Sequence, residues 1–197
     1  MSIERGNISL AAIVAVGVLL VASSEPAHSQ RAIADATVSG GRLGFDGYAT
    51  PGPWSAWTDS VSGRLTGAAD IGHVRGWVAF PAATLDSDNA RRDKDMRKSL
   101  EVDKYPVIRF DLHGVTPSEA SADSSTVVLG GTFDIHGVQR QVEMEATVVF
   151  GESDIRVTAQ YQLNLEDYEI GGLSKMLGML KMQKMITLHI DVIFAAD

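Results

Sequence analysis

Eight segments of this chain alternate apolar and polar residues with period two, and this pattern excludes most folds at once. Thr37–Tyr48 is the first, weakened by glycines, followed by Val61–Ala69, Val74–Phe80 and Ile108–Leu112. Val127–Ile135, Val142–Phe150, Ile155–Leu163 and Ile186–Phe194 complete the set. Successive side chains of a strand point to opposite faces, so each segment reads as a strand with one apolar and one polar face. Antiparallel sheets with one wetted face show this alternation, and parallel sheets buried on both faces do not. Eight such strands must hide their edges, either by closing into a barrel or by forming a two-sheet sandwich.

Two stretches between the strands read as loops. They are 49–60, rich in proline, glycine and tryptophan, and the polar 116–125. The exception to the strand pattern is 85–106, which reads as a helix over about 87–100. From Asp86 to Lys104 it carries six acids and six bases, so it is neutral. Asp86, Ser87 or Asp88 can cap it. Asp88/Arg92 and Asp93/Arg97 have the spacing of ion pairs on one helix face. Met96 and Leu100 are its only large apolar residues, so it must lie on a surface with one narrow apolar contact. Asn89, Arg92 and Asp93 are expected to pin it to the strand that begins at Tyr105-Pro106.

Ile8–Ala22 is an apolar run with Arg5 before it and Ala27-His28-Ser29 after it. It reads as a secretory signal cleaved after Ser29, leaving 30–197 as one domain in the periplasm or outside the cell. A membrane anchor is the competing reading, but the run is shorter than the roughly 20 apolar residues needed to span a bilayer. There is no cysteine, which excludes disulfides, thiolate metal sites and an acylated-cysteine anchor. A net charge of −8 disfavours nucleic acids and anionic membrane surfaces as partners.

Four pieces of the chain resemble the YceI-like family of periplasmic or secreted bacterial proteins. They are VSGRLTGAADIGHVRGWVAF, LDSDNARRDKDMRKSLEVDKYPVIRF, LGGTFDIHGVQRQVEM and LNLEDYEI, in that order. The second is similar to the family's T-x-N-x-x-R-D helix leading into Y-P-x-I-x-F. The third is similar to its I-H-G-V hairpin. Ser87 stands where the family often has threonine, and Glu169 where glycine is usual. The resemblance implies an eight-stranded antiparallel, lipocalin-like barrel that holds a long isoprenoid-type lipid.

A barrel of eight strands can be filled by side chains or can hold one small ligand. Gly63, Gly67, Gly76, Gly131, Ala146 and Ala159 are small and face inward, so they either leave space or relieve barrel corners around a packed interior. The resemblance favours space. The side chains then expected to contact a lipid are Phe45, Leu65, Val78, Phe80, Met96, Leu100, Phe110, Leu129, Phe133, Met144, Val148, Tyr161, Leu173, Met176 and Leu188. Residues 171–185 hold four of the seven methionines and read as an adaptable lid or as ordinary core.

His73, His113, His136 and His189 are scattered singly. No metal-ligand spacing, nucleophile elbow or phosphate loop occurs, so no catalytic or metal residue is assigned. No cofactor is expected beyond a bound isoprenoid lipid or quinone. The expected function is a lipid carrier. A small enzyme acting on an amphiphile at the barrel mouth and a ligand-free stress-related module are the alternatives. A homodimer stays open.

Overall fold

The computed structural model describes residues 32–50, 52–120, 124–171, 174–175 and 180–197. Its strands are β1 (Ala36–Ala49), β2 (Gly52–Thr58), β3 (Ser62–Thr66), β4 (Arg75–Pro81), β5 (Val107–Ala120) and β6 (Ser124–Ile135). They continue with β7 (Val138–Phe150), β8 (Asp154–Asn164), the short β9 (Ser174–Lys175) and β10 (Leu180–Lys181), and β11 (Met185–Ala196). Eight of them form a closed antiparallel barrel in the order β1-β3-β4-β5-β6-β7-β8-β11. Closure is made by β11 against β1, from Ala36↔Ala196 to Asp46↔Thr187. Among the described residues β9 and β10 pair with each other alone. The single sheet bent on itself settles the choice between barrel and sandwich.

β2 is the extra strand, and it corrects the reading of 49–60 as a loop. It pairs with the second half of β1, from Leu43↔Thr58 to Ala49↔Gly52. Ala56 and Thr58 are buried on its inner face. Pro53 is tolerated because β2 is nearly an edge, and proline removes a ladder donor only where a neighbour needs it. On its outer side β2 has no strand beside it among the described residues and makes one isolated bridge: Trp57 N–H donates to Asp86 O, and Asp86 N–H to Trp57 O, both at 2.9 Å. The polar stretch 116–125 is also largely strand. β5 and β6 remain paired out to Ala120↔Ser125, with a register shift beside Pro117.

Two hydrophobic clusters line the interior. Ile33, Ala36, Leu43, Leu65, Val74, Val192 and Phe194 close one end of the barrel. The larger cluster runs through the middle to the other end, where Leu85, Met96, Leu165, Tyr168 and Ile170 join it. That other end is crossed by the helix α1 (Ala90–Ser99) and by a 3-10 turn at Leu165–Tyr168. β6 and β7 meet there in a two-residue hairpin. His136 (φ 57°) and Gly137 (φ 75°) both adopt the left-handed backbone that such a turn requires. A Cβ on Gly137 would lie 2.4 Å from the Tyr105 ring, so the position needs glycine twice over.

α1 is where the expected and observed local bonds differ most. Its cap is Asn89, whose Oδ1 accepts from Arg92 N–H at 3.1 Å. Asp86 instead accepts from the Asp88 backbone N–H. The expected ion pairs with Arg92 and Arg97 are not made. Asp93 is buried and accepts from the Ser87 backbone N–H at 3.0 Å and the Ser87 hydroxyl at 2.5 Å. Arg92 donates to Ser87 Oγ and Ser87 O, and lies over the Trp54 ring. Arg97 donates to the Ala83 carbonyl. These bonds anchor α1 to the segment before it and to β2, rather than to the strand after it. The C-terminus closes on Glu101 (φ 46°), with Val102 N–H on Arg97 O and Glu101 N–H on Lys98 O, the Schellman arrangement.

Candidate functional site: an apolar cavity

The barrel encloses a cavity of about 590 Å³. This lies within the usual size range of small-molecule sites. Its wall is almost entirely apolar, because the inward positions of β1 and β4–β8 are aliphatic or aromatic and β11 adds Ile186, Leu188, Ile190, Val192 and Phe194. Polar side chains enter at the end crossed by α1: Asn89, Arg91, Arg92, Asp95 and Ser99, with Thr50 beside them. Arg109 and His189 also border the cavity, with their polar atoms bonded to Asp111 and Asp46. The cavity is therefore largely apolar through its length, with most of its polar residues at one end.

Phe45, Leu65, Val78, Phe80, Met96, Leu100, Phe110, Leu129, Phe133, Met144, Val148 and Leu188 all line it. They come from β1, β3, β4, α1 and the residue after it, β5, β6, β7 and β11, so the topology gathers side chains from across the chain. Tyr161 does not line the cavity. Its ring packs 5.8 Å from Phe133. Tyr161 is paired with Leu188 of β11 but lies beyond the stretch of β8 that pairs with β7, which runs from Ala146↔Ala159 to Phe150↔Ile155. Leu173 and Met176 lie outside the described residues. Met182, from the same methionine-rich stretch, does line the cavity.

The inward glycines do not all leave space. A Cβ on Gly131 would sit 2.4 Å from the Phe110 ring, and one on Gly76 would sit 2.9 Å from Leu65 Cδ2 and 2.4 Å from Arg64 O. At both positions a neighbour already occupies the room, and the cavity lies further in. Several lining residues escaped the sequence reading, among them Trp54, Val115, Ile135 and Ile170. Trp54 could have been found from the alternation of Trp54, Ala56 and Thr58, had the flanking prolines not marked the stretch as loop.

Tyr168 helps close the α1 end. It is 2% exposed, and its hydroxyl has no hydrogen-bond partner among the described residues. Its carbonyl accepts from His136 Nδ1–H at 3.1 Å, and the neighbouring Asp167 carbonyl accepts from Arg140 Nε–H at 3.0 Å. Burial pushes the Tyr168 hydroxyl pKa up to about 12, assisted by Tyr161 and Asp167. A raised phenol pKa means that the folded state keeps a proton the unfolded chain loses above pH ~10. Stability from this group is therefore present at neutral pH and lost between pH ~10 and about 12. Tyr168→Phe removes only an unpaired hydroxyl. It is expected to change stability at pH 7 by less than about 1 kcal/mol and to flatten the alkaline fall, checked by urea midpoints from pH 7 to 11.

A family model for the YceI-like domain matches residues 26–194. The chain belongs to the YceI-like family. Solved structures share the barrel of this YceI-like protein. A polyisoprenoid binding domain from Saccharophagus degradans, implicated in plant cell wall breakdown, is 15% identical with a TM-score of 0.67. That alignment covers 84% of this chain and 99% of the other. BcnA of Burkholderia cenocepacia is 11% identical with a TM-score of 0.66, over 78% of this chain and 95% of that one. A YceI protein of Campylobacter jejuni is 18% identical with a TM-score of 0.51, over 62% and 72%. At these identities the likeness is one of fold. No curated protein matches the chain. Among the described residues, no group of three His, Cys, Asp or Glu is placed to hold a metal ion, and no helix is long and apolar enough to cross a membrane.

Proposed function

We propose that this YceI-like protein is a carrier that holds the tail of a polyisoprenoid or quinone-like lipid inside its barrel. The observation that carries this reading is the 590 Å³ cavity with its continuous apolar wall and polar rim at one end. An amphiphile with one long chain fits such a space. Each methylene moved from water into the wall is worth about 0.8 kcal/mol, so affinity rises steeply with tail length until the cavity is full. The similarity to a domain described as polyisoprenoid binding supports the same class of ligand. Binding rather than catalysis is the role, since the polar groups at the rim are not arranged as nucleophile and base.

Residues 1–29 act as a secretory signal in this reading, and 30–197 work in the periplasm or outside the cell as one domain. A carrier in an aqueous compartment solves the problem of moving a lipid whose tail water excludes. Trp54 reports occupancy, because it lines the cavity and packs edge-on at 5.1 Å against Phe45. Titration with C10, C15 and C20 isoprenols is expected to change tryptophan emission saturably, with affinity rising along the series, and Trp54→Phe should remove most of the response. Unchanged emission up to the solubility of the C15 alcohol would rule the carrier out.

A further inference from the structure

The outside of a closed barrel is convex, so a concavity there has to be built. This barrel carries one of about 500 Å³ on its outer wall, where β1, β11, β8 and β7 lie side by side. Two features make it. On one side Trp57 of β2 forms a wall. It lies against Gly44, where a Cβ would be 2.4 Å from its ring. On the other side β7 and β8 part. Their ladder ends at Ala146↔Ala159, so Glu145 and Gln160, the next outward-facing residues, are no longer paired. Thr147 and Thr158, still paired across the ladder, lie between the two sides.

The groove differs from the wall around it in its unused polar groups. Nearby, outward side chains satisfy one another. Arg156 donates to Asp191 at 2.7 and 2.6 Å, Gln162 donates to Thr187 at 2.8 Å, and His189 pairs with Asp46 at 2.7 Å. Arg42, Glu145, Thr147, Thr158 and Gln160 make no side-chain hydrogen bond or ion pair among the described residues, although they line one concavity. The Arg42 guanidinium lies instead over the Trp57 ring, 3.9 Å from its centre. His189 flanks the same ring, with 5.4 Å between centres. A wall of planar groups therefore faces a set of free donors and acceptors.

The chemistry of these groups selects a ligand. Asp191 and His189 are already paired, which leaves one free cation, Arg42, and one free anion, Glu145. Their charges offset, so the groove favours a neutral ligand. Arg42 only donates, Glu145 only accepts, and Gln160 and the threonines do both. Hydroxyls, which donate and accept, can satisfy all of them, and an apolar C–H face suits the indole. We propose that this groove binds a neutral mono- or disaccharide, with a C–H face of the sugar against Trp57 and its hydroxyls on Arg42, Glu145 and Gln160. None of these four residues lines the inner cavity, so the site is separate from the lipid and stands without the carrier reading.

The test is an NMR titration of isotope-labelled protein with glucose, N-acetylglucosamine, cellobiose and maltose. Each is taken to about 50 mM, which fills a site of even millimolar affinity. At least one sugar is expected to shift the Trp57 indole N–H and the amides of 145–147 and 158–160 saturably, leaving the Trp54 indole N–H in place. Glu145 and Gln160 are exposed, so replacing them leaves the barrel intact. Glu145→Ala and Gln160→Ala should each weaken binding about fivefold, the loss of one hydrogen bond. Trp57→Val should weaken it at least tenfold. Inorganic phosphate and ethanolamine at the same concentration should leave these signals unmoved. No saturable shift with any of the sugars, an affinity unchanged by both Glu145→Ala and Gln160→Ala, or a larger response to phosphate or ethanolamine would overturn the assignment.

Discussion

Asp93→Ala is expected to lower the stability of this protein by about 3 kcal/mol, more than any other change of a charged residue on α1. Spacing alone makes Asp93 an exposed partner of Arg97. The fold makes it a buried acceptor, 5% exposed, for two hydrogen bonds from Ser87. Bonds to a charged acceptor are worth about 1.5–3 kcal/mol each. The alanine variant leaves the Ser87 N–H and hydroxyl without that acceptor in a site only 7% exposed, and it loosens Arg92, which donates to the same hydroxyl. Ser87→Ala keeps the backbone N–H bond and should cost about 1–2 kcal/mol. Because the two residues share a bond, the double variant should cost less than the sum of the singles. Urea midpoints at pH 7 measure all three. A loss below about 1 kcal/mol for Asp93→Ala would mean that the Ser87–Asp93–Arg92 network does not hold α1 in place.

The second large effect is on binding. Leu129 and Val148 are buried on neighbouring inner strands, β6 and β7, and both line the cavity. Replacing both with tryptophan adds bulk where there is empty space rather than packed atoms. The double variant is expected to lose lipid affinity by at least tenfold while still unfolding cooperatively. Overpacking a well-filled core usually costs about 1–3 kcal/mol, so a large fall in stability would say that the space is not there. Gly131 is the wrong place for this experiment. A side chain there would strike the Phe110 ring and the Asp111 carbonyl, and the barrel rather than the ligand would suffer.

Much of the fold was legible because period-two alternation is a direct readout of a sheet with one buried face. All eight barrel strands follow from it, and the I-H-G-V resemblance marks the His136-Gly137 hairpin. What was not legible depended on contacts distant in sequence. β2 was hidden because Pro51, Gly52 and Pro53 are loop-like by composition, and it becomes a strand only by lying along the second half of β1. The ends of β5 and β6 were hidden because Thr116–Ala120 carries a proline and no large apolar residue, so it shows no apolar–polar alternation. In α1, Asp93 and Met96 share the buried face, so a carboxylate goes inside where local rules place an ion pair on the surface.

The site divides along the same line. Alternation identified most of the wall, since an inward residue of a barrel strand faces the interior whatever its neighbours are. It failed for Tyr161, whose ring packs against Phe133 without lining the cavity, and for the inward glycines, whose space is decided by the cross-strand residue. The polar rim was not legible because Arg91, Arg92 and Asp95 sit in a charge-balanced run that reads as a solvated helix. Only the crossing of α1 over the barrel end turns part of that run toward a cavity.

The measurement that bears most directly on the central claim is native mass spectrometry of the protein purified from its own host, beside the Leu129→Trp/Val148→Trp variant prepared in the same way. The account predicts that the wild-type protein carries a non-covalent adduct of several hundred daltons, released on denaturation, and that the variant carries little or none. A wild-type protein of bare polypeptide mass, or an adduct retained in full by the filled barrel, would contradict it.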